Sequence, residues 1–507
     1  MADTATEFTP EQQEEVKAIR AQHSFLGHPK GIGTLSFMQL CNSFASYGMS
    51  SILIYYLYTA VAEGGLGLPE ADAQQLISLY SSCSILAGLV GSYVADRVLG
   101  PRKALGLSRL VQAIAYVVLA LPFFGIYGYA ASQFLLIFGA MLAGRSLDAL
   151  TGMMYENGDG RRDAAFVITY VISNIGAAVP AITGTVSLIA GYSVAFSLGA
   201  ILAVLGFVCY VLTQKFFGPI GMEPDDPLPA EKKNPFIVGL VAIVAVVVAA
   251  LAYLFMSGTL TVNAFANFMS TAAIFIPIVY IAYIVASKKS NPDEKKHVLW
   301  LIPLFITNVA DMTVWTCSTT VLATYADTTI DRVLFGMEFS PAVFQTLPAV
   351  LAVVFGSILT ALWTALGKRQ PSSAAKIGLG TILWGCGPLF MTLPFILFAP
   401  GVKVSPLWLV MFYVLIILGE GFTSGTGYAA ANTVAPKAFA TQMMTVWSLS
   451  QSTGAGFATL SVNFYTPGNE IPYFLVIGGV TAIIGLLTVV FSKKIARGMG
   501  VTAETAE

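Results

Sequence analysis

Ionisable side chains inside long apolar stretches are the residues of this chain whose chemistry is most informative: Arg145, Asp148, Asp311 and Glu420. A charge at membrane depth is costly, so such a group by default marks a path for a solute or a proton. Glu420 is the strongest case, because a carboxylate can attract an ammonium group and exchange protons when it is partly desolvated. Arg145 and Asp148 are three residues apart, so a self-satisfied helical ion pair is an equally good account of them.

The remaining reactive residues do not form a catalytic or metal-binding cluster. The three histidines (His23, His28 and His297) lie outside the deep parts of the apolar stretches. The five cysteines fall within those stretches at no metal-ligand spacing. We therefore expect no metal, cofactor, disulfide or enzymatic activity. The net charge of −1 argues against a nucleic-acid partner.

The composition places these residues in a membrane. Of 507 residues, 56% are hydrophobic and 10% are charged, less than half the charge of a typical soluble domain. Fourteen stretches are long enough to cross a hydrocarbon core of about 30 Å as helices. They are too long and too uniformly apolar for barrel strands. The predicted spans are roughly 32–61, 72–95, 104–123, 130–152, 164–189, 192–213, 236–256, 263–287, 297–321, 342–365, 376–396, 406–432, 438–461 and 472–497.

The basic residues predict the orientation of these spans. With the N-terminus in the cytoplasm, nearly all of the 26 Lys and Arg residues fall on the cytoplasmic side, including Arg109 near the start of the third span. Only Arg332 and Lys403 fall outside, and Arg145 lies within a span. This asymmetry is what the positive-inside rule predicts for fourteen spans with both termini in the cytoplasm. We expect an integral protein of the plasma (bacterial inner) membrane that functions as a monomer.

The spans group as six, two and six. We predict a cytoplasmic tail (1–31), an N-terminal six-helix bundle (32–213), a linker with an inserted helix pair (214–296), a C-terminal bundle (297–497) and a second tail (498–507). The loop GSYVADRVLGPRK after the second span has a weak echo, ALGKRQ, at the corresponding place in the second half. Two related six-helix halves with a site between them are a common transporter plan.

Several motifs carry a family resemblance. The Gly91–Lys103 loop is similar to the loop signature of the major facilitator superfamily, in which charged groups pair at the cytoplasmic ends of helices and bias one alternating-access state. Residues 154–177, with the run RRDAAF, and residues 413–449, with APKAF and MMTVW, resemble the proton-dependent oligopeptide transporter family. Residues 318–330 are similar to the end of its seventh core helix. The resemblance extends in order over roughly residues 28–497. The gate-motif residues are Gly91, Asp96, Arg97, Gly100, Arg102 and Lys103.

This resemblance implies a major facilitator fold and a di- or tripeptide, or a peptide-like small molecule, as cargo. It implies that Glu420 faces a central cavity and senses the amino terminus of the cargo. Tyrosine and asparagine can hydrogen-bond a peptide, whereas tryptophan offers an apolar wall. The implied substrate-binding residues are Tyr47, Tyr80, Asn174, Trp315, Glu420 and Trp447. The candidates for proton coupling are Glu420, Asp311, Asp148 and Arg145.

The chain also departs from the family pattern. Gln39, Asn42 and Ser43 stand where the family has two glutamates and an arginine, and Thr316 stands at an acidic position. The family's fourth-helix lysine aligns with Gly144, one residue before Arg145. We therefore predict coupling through non-standard residues. A facilitator or symporter for another small solute, and a non-transporting sensor on the same fold, remain alternatives.

Overall fold

The computed structural model describes residues 8–143, 146–156, 159–224, 227–334, 336–436 and 439–500. Within these ranges the regular structure is almost entirely helical. Two short antiparallel strands, β1 (Val333–Leu334) and β2 (Met337–Glu338), are the exception there. Three-residue to six-residue 3₁₀ turns occur at Val61–Glu63, Pro122–Phe124, Gln214–Phe216, Pro341–Thr346 and Gly367–Arg369.

The helices of the first half begin with a short amphipathic helix before the first long one. Thr9 and Gln12 form a capping box at its start, and Val16 and Ile19 are buried on one face. The α-helices of this half are α1 (Pro10–Arg20), α2 (Lys30–Tyr58), α3 (Glu70–Val94), α4 (Pro101–Ala120), α5 (Gly125–Ala143), α6 (Ser146–Met153), α7 (Arg161–Ala177), α8 (Pro180–Ala190) and α9 (Tyr192–Leu212). A π-helical turn, Ala95–Leu99, follows α3.

The second part of the chain repeats this pattern of long helices. Asn291 and Glu294 form a second capping box, and Pro292 occupies the first helical position of α12, where its missing N–H costs nothing. The helices are α10 (Ala230–Met256), α11 (Val262–Ala286), α12 (Pro292–Thr319), α13 (Val321–Thr328), α14 (Leu347–Leu366), α15 (Ser373–Phe390), α16 (Thr392–Leu397), α17 (Leu407–Thr433), α18 (Ala440–Val462), α19 (Glu470–Val490) and α20 (Ser492–Gly498).

These helices confirm the predicted all-α membrane class. Among the described residues, 11 helical segments are long and apolar enough to cross a membrane. The remaining three predicted spans are occupied by α2, α3 and α18. Some spans are broken into two helices; α7 ends shortly before Pro180, which cannot continue its hydrogen-bond ladder and instead begins α8. Each predicted span therefore corresponds to helix.

The contacts divide the chain into two compact units, each with its own core. The first unit comprises Met1–Ser50, Leu86–Val179 and Val186–Phe265. The second comprises Ser51–Ile85, Pro180–Thr185 and Ala266–Glu507. One core of the first unit surrounds Tyr210 and Phe217, whereas one core of the second surrounds Trp384 and Phe412. These units follow contacts and cut through α2 and α3, so the predicted segment boundaries stay a prediction.

Glycines bring two helices of the second unit into backbone contact. A Cβ atom at Gly385 of α15 would lie 2.6 Å from the carbonyl oxygen of Gly478 on α19, and a Cβ at Gly478 would lie 2.7 Å from that of Gly385. Seven residues further along α19, Gly485 stands in the same relation to Gly378. Small residues at matched positions permit such close packing of apolar helices. α15 and α19 are thereby held together along two turns.

Candidate functional site

In the first unit, neutral side chains occupy the positions where the resemblance implies two glutamates and an arginine. Gln39 Nε2 donates to Ser43 Oγ (3.3 Å) and to Ser173 Oγ (3.2 Å). The two serine hydroxyls are 2.9 Å apart, so α2 and α7 are joined by uncharged hydrogen bonds. Nothing at Gln39, Asn42 or Ser43 can titrate near neutral pH. Proton coupling through these positions is therefore excluded by their chemistry.

Tyr47 and Asn174 also belong to the first unit, on the same two helices. Tyr47 follows Ser43 by four residues, which places it on the same face of α2, and its side chain is 45% exposed. Asn174 is half-buried, and its Nδ2 donates to the carbonyl oxygen of Tyr170, 3.0 Å away. Both residues thus lie on the two helices that the Gln39 hydrogen bonds join, and their role in binding stays a prediction.

Arg145 lies outside the described residues, so its predicted pairing with Asp148 stays a prediction. Asp148 is exposed in the first turn of α6. Arg109, by contrast, lies well inside α4, where its Nη1 donates to Gln112 Oε1 (2.7 Å) and its Nη2 to Gln39 Oε1 (3.4 Å). The positive-inside pattern places Arg109 with the cytoplasmic charge and predicts no site role for it.

The second unit holds the two deep acids. Asp311 is fully buried on α12; its Oδ2 accepts a hydrogen bond from Thr381 Oγ1 (3.1 Å), and its Oδ1 has no hydrogen-bond partner. Glu420 is half-buried on α17. Gly380 and Gly419, the neighbours of Thr381 and Glu420, are in backbone contact, because a Cβ at either would lie 2.7 Å from the carbonyl oxygen of the other. The two acids therefore flank one contact between α15 and α17.

The predicted aromatic binding residues of the second unit have different surroundings. Trp447 is 2% exposed and stacks edge-on against Tyr428, with 6.4 Å between ring centroids. Trp315 is half-buried against the core around Trp384, and Tyr80 is half-buried on α3. Trp447 is thus a packing residue in this structure. A role for any of the three in binding cargo stays a prediction.

Two glycines determine the backbone of the gate-motif loop. A Cβ at Gly91 would lie 1.2 Å from the carbonyl oxygen of Met141, so only glycine permits this approach of α3 and α5. Gly100 has a φ of 78°, which lets the chain turn into α4. Lys103 is exposed, and Arg97 lies over the Tyr93 ring, 5.8 Å from its centroid.

Among the described residues, Arg102 binds amide and backbone oxygens. Its guanidinium donates to the Gln214 side chain and to the carbonyl oxygens of Gln214 (2.6 Å) and Gly218. In addition, the carbonyl oxygen of Arg97 accepts a hydrogen bond from the Leu228 N–H (2.9 Å). The side chain of Asp96 lies outside what the structure describes. These bonds fix Arg102 to the segment after α9, and the predicted charge pairing across the loop, which involves Asp96, stays a prediction.

A polar cluster in the second unit was not predicted from the sequence. Tyr58 Oη donates to Asp327 Oδ2 (2.6 Å), and Arg332 bridges Asp327 (3.0 Å) and Glu338 (2.9 Å). This cluster joins the end of α2 to α13 and the β1–β2 hairpin. Beside it, Gln74 Nε2 donates to Thr324 Oγ1 (2.9 Å). No spacing in the sequence signals these pairs, although Asp327 lies within the run that carries the family resemblance.

Comparison with known proteins gives matches along nearly the whole chain. A profile of the POT family matches residues 129–477. The Di-/tripeptide transporter of Lactococcus lactis subsp. cremoris is 32% identical over 490 residues, which cover 95% of this chain and 98% of that protein. These matches confirm the resemblance read from the motifs.

Solved structures match equally well. A mutant of peptide transporter POT in complex with alafosfalin is 33% identical, with a TM-score of 0.91 and coverage of 97% of this chain and 100% of that one. A POT family transporter in complex with 5-aminolevulinic acid is 32% identical, with a TM-score of 0.88 and coverage of 95% and 99%. The predicted transporter fold is thereby confirmed.

Proposed function

Because this chain belongs to the POT family of membrane transporters, we propose that it imports di- or tripeptides, or peptide-like small molecules, by alternating access driven by a proton gradient. The observation that carries the proposal is the similarity, over 95% of the chain, to a protein named a di-/tripeptide transporter. The complex of a similar structure with alafosfalin supports a peptide-like cargo.

Asp311 is the proton carrier in this proposal. Its side chain is fully buried, one carboxylate oxygen has no hydrogen-bond partner, and no described residue forms an ion pair with it. A bare carboxylate in such a place carries a desolvation penalty of several kcal/mol, which the single hydrogen bond from Thr381 offsets only in part. A proton removes that charge. The packing around Asp311 therefore favours the protonated carboxyl group. Release of the proton requires a state in which water or a cation reaches the carboxylate.

Glu420 binds the cargo in this proposal, through the ammonium group of the peptide. Glu420 follows Gly419, which contacts Gly380 of α15. Gly380 precedes Thr381, the residue that donates a hydrogen bond to Asp311. Protonation of Asp311 or cargo binding at Glu420 can thus affect the other acid through the packing of α15 against α17. The polar groups of Tyr47, Tyr80 and Asn174 then bind the rest of the peptide backbone, and Trp315 and Trp447 supply apolar walls.

The test uses full-length protein in proteoliposomes and separates binding from coupling. Asp311→Asn is expected to retain counterflow of a labelled dipeptide and to lose accumulation driven by a pH gradient. Glu420→Gln removes a charged partner of the ammonium group, so half-saturation in counterflow should rise by roughly 10-fold to 100-fold. Asp293→Asn, a loss of the same charge at an exposed position in the first turn of α12, is the matched control and should retain both activities.

Each outcome has a defined meaning. Undiminished pH-driven accumulation by Asp311→Asn would remove Asp311 from coupling without affecting the proposed cargo. Absence of dipeptide counterflow by the wild-type protein would contradict the cargo itself. Dipeptide binding without counterflow would favour the sensor. Counterflow with 5-aminolevulinic acid but not with dipeptides would favour a carrier of amino-acid-like solutes, the alternative that one similar complex supports.

The setting of this activity is also a proposal. The distribution of basic residues supports a protein of the bacterial inner membrane with both termini in the cytoplasm. We expect it to act as a monomer, without a cofactor or a nucleic-acid partner, and with the proton gradient as the only energy source. Two six-helix bundles (32–213 and 297–497) would provide the alternating halves, with the 214–296 segment between them.

A further inference from the structure

A groove on the second unit contains none of the residues that the proposed transport cycle uses. α12 contributes Trp300 and Pro303 to its walls, and α19 with the residues that follow it contributes Leu487, Phe491 and Ile495. The volume of the groove is about 290 Å³, far above the roughly 10–15 Å³ that holds one water. Leu487 is 50% exposed and Phe491 is 51% exposed. Because α12 and α19 are long and apolar enough to cross a membrane, these exposed apolar walls face lipid.

The short helix α20 packs against α12 beside this groove. A Cβ atom at Gly498 would lie 2.2 Å from the indole ring of Trp300, and a Cβ at Gly500 would lie 2.9 Å from the imidazole ring of His297. The main chain of α20 therefore lies directly on the first turns of α12. Thr488 and Ile495, which also line the groove, are buried and form its floor. The groove is thus a defined cleft between packed helices.

Lys494 is the one charged side chain among the described residues that line the groove. Its Nζ lies over the indole ring of Trp300, 5.9 Å from the ring centroid. Lys494 is exposed, and the ion pairs observed in the described part of the chain do not include it. A lysine and a tryptophan at the end of a membrane span are typical of the boundary between acyl chains and lipid headgroups.

The charge around the groove is mainly positive. Residues 292–300 and 492–500 together contain five basic residues and two acids, namely Lys295, Lys296, Lys493, Lys494 and Arg497 against Asp293 and Glu294. The side chain of Glu294 already accepts the N–H of Asn291 (2.9 Å) in the capping box of α12. The described lining residues include no acid, so the groove offers no carboxylate to the ammonium group of a peptide. It is complementary to an anion that carries an apolar chain.

We propose that this groove binds one anionic phospholipid, with the lipid phosphate at Lys494 and one acyl chain between Trp300 and Leu487. An ammonium group forms charge-assisted hydrogen bonds with phosphate, and the apolar walls remove part of the acyl chain from competing contacts. The proposed cytoplasmic position of both termini places the groove in the inner leaflet, where anionic lipids and basic juxtamembrane residues attract each other. The bound lipid would join α12 to α19 and α20.

The first experiment measures lipid binding to the delipidated full-length protein by native mass spectrometry in neutral detergent. Dioleoylphosphatidylglycerol is compared with dioleoylphosphatidylethanolamine, which has the same acyl chains and no net charge. Wild-type protein should bind one phosphatidylglycerol in preference. Lys494→Gln should weaken that binding by about fivefold, the effect of one lysine near an anionic lipid. Lys493→Gln removes the same charge from the exposed neighbouring position, which does not line the groove, and should bind like wild type.

The second experiment locates the acyl chain. Leu487→Trp places an indole in the groove and should abolish the preferential binding of phosphatidylglycerol. Leu486→Trp is the matched control, because Leu486 is 54% exposed and does not line the groove. Phosphatidylglycerol with a photoactivatable diazirine in one acyl chain should label residues 487–495 of wild-type protein, and Leu487→Trp should lose this label.

Three results would overturn the proposal. Equal phosphatidylglycerol binding by wild type, Lys494→Gln and Leu487→Trp would show that the lipid binds elsewhere. An equal loss in Lys493→Gln and Lys494→Gln would show a diffuse attraction to basic residues instead of a site. Displacement of phosphatidylglycerol by an equal concentration of inorganic phosphate would assign Lys494 to a soluble anion.

Discussion

Replacement of Tyr58 by Phe removes one hydroxyl group from the ion-pair cluster of the second unit. Tyr58 Oη donates to Asp327 Oδ2 over 2.6 Å, and a hydrogen bond to a charged acceptor contributes about 1.5–3 kcal/mol. Asp327 retains Arg332 at 3.0 Å in the variant, so the lower end of this range applies. A loss of about 1.5 kcal/mol is roughly a tenfold change in an equilibrium constant. States in which the end of α2 has separated from α13 should therefore become about tenfold more populated.

Distance measurement by double electron–electron resonance tests this expectation. Spin labels carried by a noncanonical amino acid at Glu63 and at Met337, both exposed, report separation of the two sides of the cluster without removal of the native cysteines. Tyr58→Phe should increase the fraction of long distances. Tyr127→Phe, at a side chain that is 77% exposed, is the matched control. An unchanged distribution in folded Tyr58→Phe protein would refute the view that this hydrogen bond holds α2 and α13 together.

Two further predictions concern stability. Burial and the nearby Arg161 guanidinium lower the pKa of His28 from its ordinary value of 6.5, and His28 Nδ1 lies 2.7 Å from Tyr155 Oη. The unfolded chain therefore binds more protons at this residue than the folded one, so its contribution to stability is lost as the pH falls through about 6.5. His28→Asn should flatten the dependence of Tm on pH between about 5 and 7, and an unaltered slope would contradict this. Gly385→Val places atoms against the carbonyl oxygen of Gly478 and should cost about 1–3 kcal/mol or more in thermal unfolding. Gly479→Val, where a Cβ meets nothing within 4 Å, is its control, and an equal loss in both variants would argue against the α15–α19 contact as the cause.

The helical spans could be predicted from the sequence because their cause is local. A membrane requires about twenty apolar residues per crossing, and that requirement is visible in composition without knowledge of any contact. Even α2 and α3, which carry polar residues such as Gln39 and Gln74, keep enough apolar residues to be recognised. The breaks within spans were less visible: α12 ends at Thr319 and α13 begins at Val321, without a proline to mark the change.

The site residues were predictable in type but not in partnership. Asp311 could be identified because a charge in an apolar span is rare. Its hydrogen bond to Thr381, 70 positions further on, depends on how α12 and α15 pack. The pairing of Tyr58 with Asp327 spans 269 positions and has the same origin. The sequence predicts only a cytoplasmic charge at Arg109, because position along the chain does not reveal which way a side chain turns.

The π-helical turn at Ala95–Leu99 has a consequence for how the loop after α3 moves. A wide turn leaves a main-chain carbonyl unused by its own helix. Here the carbonyl of Arg97 accepts the N–H of Leu228, just before α10, and Phe236 at the start of α10 lies against the apolar cluster of Val94 and Val98. One main-chain hydrogen bond and one apolar contact thus join the loop to the linker, and among substitutions at position 228 only Leu228→Pro removes the N–H donor. We therefore expect the loop and the first turns of α10 to move together during transport.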